Sequence, residues 1–165
     1  MKSDIYWADK YLAVLARPRG DDWLEAEIKS FAESGLNVIV SLLTEDEEIE
    51  LNLTQERTNC ITAGLEYYSF PINDRSVPAS MDEAFDLVVQ LSTLIIRDSK
   101  KIGIHCRQGL GRPPLIAAAL LVWIGHSPDE AFLKISQVRH VEVPETLEQK
   151  EWLNEFSREF SSDSF

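Results

Sequence analysis

The stretch "GIHCRQGLGRPPLIAAALLVWIG", residues 103–125, decides how the rest of the chain is interpreted. It places Cys106, one of only two cysteines, directly after a short apolar run and before a loop with two glycines. The apolar segment that follows, residues 115–124, is half the length of a membrane span and suits a buried helix. The stretch therefore predicts a strand that ends near Cys106, a tight loop, and a helix from about Pro113 to Gly125.

The loop has the residues expected of an anion-binding site. Successive backbone N–H groups of a glycine-containing loop at a helix N-terminus can surround an oxyanion. Arg112 adds a planar fork of donors that matches two phosphate oxygens. Because a helix N-terminus and a nearby cation stabilise a thiolate, we expect Cys106 to ionise readily. Together these residues predict a nucleophile beside a bound oxyanion, which is the arrangement that covalent phosphoryl transfer requires.

Strand and helix patterns alternate along the whole chain. This alternation predicts a single α/β domain over residues 1–165, with a central, mostly parallel β-sheet flanked by helices. Catalytic and binding sites of such sheets lie beyond the carboxyl ends of the strands, where Cys106 falls. The acidic run "TEDEEIE" at 44–50 predicts a solvated face, and Thr54 is predicted to cap a helix over 53–64. The predicted strands are 36–43, 65–72, 101–106 and one or two within 4–16, and the other predicted helices are 21–35, 80–100, one from Ser127, and 145–160.

Composition excludes several classes of function. A net charge of −12 disfavours nucleic acids and anionic membranes as partners. Two cysteines 46 positions apart make a poor disulfide framework, and the N-terminus lacks the apolar core of a signal peptide, so we expect a cytoplasmic protein. The two cysteines and three histidines show no metal-ligand spacing, so no metal and no cofactor is expected. A monomer is favoured.

The motif His-Cys-x5-Arg, formed by His105, Cys106 and Arg112, resembles the signature loop of the cysteine-dependent protein tyrosine phosphatases. The inner "GLGR" and the chain length resemble the small dual-specificity branch, which includes the cyclin-dependent-kinase-associated phosphatases. The resemblance implies a protein tyrosine phosphatase-like fold and a phosphocysteine intermediate on Cys106. It implies that the phosphate is bound by the Arg112 side chain and by the loop of Arg107, Gln108, Gly109, Leu110, Gly111 and Arg112. His105 is expected to order this loop through hydrogen bonds.

Two further segments carry the resemblance. The stretch "FPINDRSVP", residues 70–78, is similar to the general-acid loop of this branch, which implies that Asp74 protonates the leaving oxygen and later activates water. The stretch "PETLEQKEWL", residues 144–153, resembles the segment whose glutamines position that water. Gln149 matches the second glutamine, whereas Glu145 stands in the place of the first.

Pro113 is a departure from the pattern of this branch. The family usually has Ser or Thr after the arginine, with a hydroxyl that hydrogen-bonds the cysteine sulfur. Proline suits the first position of a helix but cannot donate a hydrogen bond. We therefore expect a less stabilised thiolate and slower release of the phosphocysteine intermediate.

These residues predict a metal-independent phosphatase that hydrolyses phosphotyrosine in proteins or peptides, with phosphoserine and phosphothreonine as further candidates. Arg107 is the single basic residue inside the loop, which disfavours inositol lipids. The alternative is a pseudophosphatase that binds phosphorylated partners without efficient turnover, which Pro113 and Glu145 favour. A third hypothesis is a thiol enzyme acting on another oxyanion, such as an arsenate reductase or a sulfurtransferase. It needs a resolving thiol, for which only Cys60 is available; the other interpretation of Cys60 is a core residue.

Overall fold

The sheet that carries Cys106 has five strands within residues 4–108 and 111–160, the part of the chain that the computed structural model describes. Their order across the sheet is β1-β2-β5-β3-β4. β1 pairs antiparallel with β2, and the other three pairings are parallel, which confirms the predicted mostly parallel sheet. The strands are β1 (Ile5–Trp7), β2 (Leu12–Leu15), β3 (Val38–Ser41), β4 (Glu66–Ser69) and β5 (Ile102–His105).

The central strand β5 is buried and delivers Cys106 to the carboxyl edge of the sheet. Ile104 lies opposite Val14 on one side and Val40 on the other. Strands of a parallel sheet covered on both faces are apolar throughout, as β5 is before His105. At Gly103 a Cβ atom would come within 2.7 Å of Leu15 Cδ1, so any larger residue at this position would force the buried Leu15 side chain to shift.

Helices cover both faces of the sheet, as predicted. Ser80 and Ser127 cap α4 and α6, since their hydroxyls accept hydrogen bonds from backbone N–H groups three residues further on. The helices are α1 (Leu24–Glu33), α2 (Glu45–Glu50), α3 (Glu56–Thr62), α4 (Met81–Asp98), α5 (Arg112–Trp123), α6 (Pro128–Arg139) and α7 (Leu147–Phe160).

Helix α5 follows the loop and lies in the middle of the helical layer. All its residues from Arg112 to Val122 are buried, and α5 contacts α4, α6 and α7. A helix surrounded on all sides needs no polar face, which explains its uniform apolar sequence. It begins one residue earlier than predicted, so Pro113 is its second residue. Among the described residues, no helix combines the length and the hydropathy needed to cross a membrane.

Two predictions about the segment between β3 and β4 are wrong. Helix α3 begins at Glu56 after Gln55, without a side-chain cap, so Thr54 does not cap it. Residues 44–50 include a helix, α2, whose N-terminus is capped reciprocally by Thr44 and Glu47. Glu47 is only 9 % exposed, so this run is not a fully solvated acidic face. The reason is that Glu47 meets a buried cation, Arg112.

Candidate active site

Cys106 and Arg112 stand at the two ends of the loop that joins β5 to α5. Cys106 is 4 % exposed and Arg112 is 1 % exposed, and both belong to the carboxyl edge of the sheet. The loop residues predicted to surround a phosphate include Gly109 and Leu110, which lie outside the described residues. Gly111, the residue before α5, is buried.

Arg112 joins three parts of the chain. Its Nη1 donates to Glu47 Oε1 at 2.6 Å and to the carbonyl oxygen of Ile72 at 2.8 Å. Its Nη2 donates to Glu47 Oε2 at 3.0 Å and lies 3.5 Å from Asp74 Oδ1. Its Nε is buried and has no hydrogen-bond partner among the described residues. The guanidinium is therefore fixed by Glu47, with one buried donor left for an anion.

The contact between Arg112 and Glu47 keeps both side chains charged. Burial lowers the pKa of Arg112, but the hydrogen bond to Glu47 and the nearby Cys106 outweigh it, so the pKa lies above its ordinary value. Burial likewise raises the pKa of Glu47, but the hydrogen bonds from Arg112 and Thr44 outweigh it, so that pKa lies below its ordinary value. The site thus contains a fixed cation before any substrate arrives.

A cavity of about 230 Å³ opens above Cys106. Asp74 reaches it from the turn after β4, in which the backbone N–H of Ser76 donates to the carbonyl oxygen of Asn73 at 3.0 Å. The structure therefore brings the predicted nucleophile and the predicted acid to one cavity. Its lining residues are Asp74, Arg75, Cys106, Arg107, Gln108, Gly111 and Glu145.

Another part of the cavity wall comes from the segment before α7. Glu145 Oε1 lies 2.7 Å from Arg75 Nη1, and this ion pair joins the segment to the turn that carries Asp74. Gln149 is fully buried: its Oε1 accepts from the backbone N–H of Glu145 at 3.1 Å, and its Nε2 donates to the carbonyl oxygen of Ser76 at 3.2 Å. Gln149 therefore supports the wall from behind, whereas Glu145 lines the cavity.

Three further basic or thiol groups, Arg107, Arg19 and Cys60, are already paired or lie apart from the cavity. Arg107 donates to Glu50 at 2.6 Å. Arg19 pairs with Glu27 at 2.8 Å and does not line the cavity. Cys60 is buried in α3, where burial and then the charge of Glu56 raise its pKa to about 12, so it is a poor resolving thiol.

Behind the loop, His105 is held by two oxygen atoms. Its Nδ1 lies 3.0 Å from the carbonyl oxygen of Cys106, and its Nε2 lies 2.5 Å from Glu56 Oε2. Both side chains are fully buried. Sequence reasoning identified neither Glu56 nor Glu47. For Glu47 a signal was present, because the capping box that contains it starts just after the carboxyl end of β3.

Comparisons with known proteins agree with this architecture. The solved structure of kinase associated phosphatase (KAP), with serine in place of its catalytic-site cysteine, matches with a TM-score of 0.87 and 21 % identity over 97 % of each chain. Tk-PTP in its active form matches with a TM-score of 0.80 and 26 % identity, over 94 % of this chain and 97 % of that one. Cyclin-dependent kinase inhibitor 3 of Rattus norvegicus is 32 % identical over 95 residues, which are 56 % of this chain and 44 % of the rat protein. The chain thus spans less than half the length of that relative.

The fold and the loop define the class of protein tyrosine and dual-specificity phosphatases. Within that class, residues 14–126 match the family Tc-R-P, the DSP-PTPase phosphatase of polymorphic toxin systems, and the chain belongs to this family. The matched segment begins within β2 and extends past the end of α5, and it includes Asp74, Cys106 and Arg112.

Proposed function

We propose that the chain is a protein phosphatase that hydrolyses phosphotyrosine through a phosphocysteine intermediate on Cys106. The observation that carries this proposal is the meeting of Cys106, the fixed guanidinium of Arg112 and the carboxyl group of Asp74 around one cavity. Because α7 supplies Gln149 beyond the matched segment, we take the catalytic unit to extend past residue 126 and to comprise the whole chain, 1–165.

In the first step, the Cys106 thiolate attacks phosphorus and the bond between phosphorus and the ester oxygen breaks. The proton of the Asp74 carboxyl group passes to the leaving oxygen. Arg112 and the loop amides from Arg107 to Arg112 stabilise the charge on the three other phosphate oxygens. The Nε of Arg112, which has no hydrogen-bond partner among the described residues, is a donor suited to one of these oxygens.

In the second step, water attacks the phosphorus of the phosphocysteine and the S–P bond breaks. Asp74, now a carboxylate, accepts a proton from the water, so the products are inorganic phosphate and the Cys106 thiolate. Gln149 acts by holding the backbone of Glu145 and Ser76, which keeps the wall of the cavity in place.

The charges around the cavity support a phosphoprotein substrate over an inositol lipid. The two arginines that line the cavity are both paired, Arg107 with Glu50 and Arg75 with Glu145, and Asp74 adds a further carboxyl group. A multiply phosphorylated headgroup would therefore meet no unpaired arginine among the described lining residues. An open groove of about 810 Å³ between α6 and α7 shares Glu145 with the cavity and offers room for a polypeptide. Neither Cys60 nor Cys106 forms a disulfide, which suits a reducing compartment such as the cytoplasm.

The test compares phosphotyrosine, phosphoserine and phosphothreonine peptides, a phosphoinositide and a small aryl phosphate as substrates. We expect turnover of the phosphotyrosine peptide, and phosphate on Cys106 in acid-quenched enzyme analysed by mass spectrometry. Cys106→Ser should lower kcat about 10⁴-fold or more. Full activity in Cys106→Ser, or activity that a chelator alone abolishes, would contradict the mechanism.

A second candidate function is the binding of phosphorylated partners without efficient turnover. Pro113 is buried as the second residue of α5 and offers no hydroxyl for the sulfur of Cys106, and Glu145 brings a negative charge to the cavity. Phosphopeptide binding without a burst of product between about pH 5 and 7.5 would select this function. Pro113→Ser would then be expected to restore turnover.

A further inference from the structure

The open groove between α6 and α7 exposes apolar side chains to water. Leu133 of α6, Val141 in the segment between the helices and Leu147 at the start of α7 all line it and are exposed. Phe132 and Val143 belong to the same lining and are buried in the hydrophobic core. Apolar side chains that are exposed together and bordered by polar groups mark a surface that binds a partner.

The groove adjoins the cavity above Cys106. Glu145 lines both, and Leu147 follows it by two positions. The Cα atoms of Glu145 and Leu147 are therefore at most about 7 Å apart, a distance that two or three residues of an extended polypeptide cover. The backbone N–H of Val143 donates to Ser136 Oγ at 3.0 Å, which fixes the segment before α7 against α6. The groove is thus preformed, and a polypeptide whose phosphorylated residue occupies the cavity can reach it.

The rim of the groove is acidic. Among the described lining residues, Asp129, Glu142 and Glu145 are acidic, whereas Lys150 is the one lysine or arginine. A surface with a net negative charge repels nucleic acids and anionic lipid headgroups and attracts basic polypeptides. The three acidic residues are exposed, so each contributes little by itself and the preference comes from their sum.

We propose that the groove binds the part of a substrate polypeptide that flanks its phosphotyrosine. An apolar side chain of that polypeptide lies against Leu133, Val141 and Leu147, about two to four positions from the phosphotyrosine. Basic residues next to this apolar residue face the acidic rim. The inference rests on the proposed function, because the groove and the cavity bind one molecule. The substrate class is thereby narrowed to proteins with a basic and apolar segment beside the phosphotyrosine.

The first experiment locates the apolar contact. It uses phosphotyrosine peptides of serine and alanine residues with a single leucine, which is moved one position at a time along either side of the phosphotyrosine. We expect kcat/KM to rise about tenfold when the leucine is about two to four positions away on one side, because its side chain is then removed from water. A rate that does not depend on the position of the leucine would overturn the proposal.

The second experiment removes the apolar surface with Leu147→Ser and with the double variant Leu133→Ser/Leu147→Ser. The ratio of kcat/KM for the best peptide to kcat/KM for a small aryl phosphate, which is too short to span cavity and groove, should fall about tenfold. Ile96→Ser is the matched control, since Ile96 is an exposed apolar residue of α4 that does not line the groove. Its ratio should equal that of the wild type.

An unchanged ratio in the double variant would contradict the proposal. Both leucines are exposed, at 59 % for Leu133 and 69 % for Leu147, so we expect the variants to fold. If the double variant does not fold, Leu147→Ser decides in the same way.

The third experiment tests the acidic rim with two versions of the best peptide, in which the residues next to the leucine are lysines or glutamates. We expect kcat/KM to be about fivefold higher for the lysine version at low salt, and the difference to shrink as salt is added. Lysines at the mirrored positions on the other side of the phosphotyrosine are the control and should have a smaller effect. Equal rates at low salt, or a preference for glutamate, would overturn the assignment to a basic polypeptide.

The outcomes separate this inference from the proposed function. Turnover of phosphotyrosine peptides without any effect of the leucine would overturn the inference and leave the proposed function intact. Binding of the same peptides, measured by fluorescence anisotropy, does not require turnover. Leucine-dependent binding without turnover would support the role of the groove and contradict the proposed hydrolysis alone.

A second copy of the chain is the other occupant to test, and sedimentation velocity detects it. A dimer that Leu133→Ser/Leu147→Ser dissociates, together with peptide rates that do not depend on the leucine, would assign the groove to self-association and overturn the proposal. A wild-type monomer with leucine-dependent rates would support the binding of a substrate polypeptide.

Discussion

The two sides of the cavity differ in how the protein holds them. On the cation side, Arg112 and Glu47 have side chains 1 % and 11 % exposed and are joined by two hydrogen bonds. On the acid side, Asp74 and Arg75 have side chains 66 % and 61 % exposed and lie on a surface turn. The difference suggests that phosphate binding is preorganised by the core, whereas proton transfer depends on surface segments that an ion pair joins. Substitutions on the two sides should therefore have different kinetic signatures.

The largest effect is expected for Arg112→Lys, on the cation side. Lysine keeps the positive charge but lacks the planar guanidinium group. It therefore loses both the Nη atoms that contact Glu47 and the Nε donor that is suited to the substrate. We expect kcat/KM for a phosphotyrosine peptide to fall roughly 10³-fold, as for other guanidinium groups that stabilise a transferred phosphoryl group. Arg97→Lys, an exposed change in the last turn of α4, is the control. A decrease below tenfold would show that the fork of Arg112 is not required.

Asp74→Asn, on the acid side, should come next. Loss of the general acid should lower kcat for a phosphotyrosine peptide about 10²- to 10³-fold. An aryl phosphate with a strongly acidic leaving group should lose much less activity in the first step, because that group departs without a proton. The comparison is made by steady-state kinetics with both substrates. Equal losses for the two substrates at all pH values would contradict the assignment.

The fold was predictable because its strands and helices have clear local signals. The run 36–43 and the segment before Cys106 contain β3 and β5, and α4 and α6 begin where predicted, directly after their caps Ser80 and Ser127. Helix α2 was missed because its sequence is acidic and has no apolar face, although Thr44 and Glu47 have the spacing of a capping box. It is stabilised by its capping box and by a cation 65 positions away. No local pattern in the sequence reveals such a contact.

The site was predictable where one motif contains the chemistry. Cys106 and Arg112 belong to one loop, so their proximity follows from the sequence alone. The partners Glu47 and Glu56 come from helices that only the tertiary fold brings to the loop. The sequence also did not predict that Glu145 lines the cavity whereas Gln149 supports its wall, because this depends on which of the two side chains faces the cavity.

Glu47→Gln tests how firmly the cation side is held. The amide oxygen of glutamine can still accept a hydrogen bond from Arg112, but the side chain carries no charge. We therefore expect kcat/KM to be about tenfold lower and the free energy of unfolding to be lower by about 1–3 kcal/mol near pH 7. Because folding lowers the pKa of Glu47, its stabilisation is present above the ordinary value near 4.5 and is lost as pH falls through the lowered pKa. The free energies of unfolding of Glu47→Gln and the wild type, measured with urea, should therefore become more similar as the pH is lowered from 7 to 3.

Glu50→Gln is the control for Glu47→Gln. Glu50 is on the same helix, but its partner Arg107 and its own carboxylate are exposed, so little stability should be lost. Stability curves of Glu47→Gln and the wild type that remain parallel over the whole pH range would contradict the role of the buried pair.

The smallest effect is expected for Glu145→Gln, on the acid side. The change removes a negative charge from the lining of the cavity, and a dianionic phosphate should then bind more tightly, with KM about fivefold lower at low salt. Added salt should reduce the difference, because Glu145 is partly exposed. Glu142→Gln, an exposed change three residues earlier, is the control and should leave KM unchanged. If KM rises instead, the ion pair between Glu145 and Arg75 matters more than the repulsion of phosphate, and the acid side is held as firmly as the cation side.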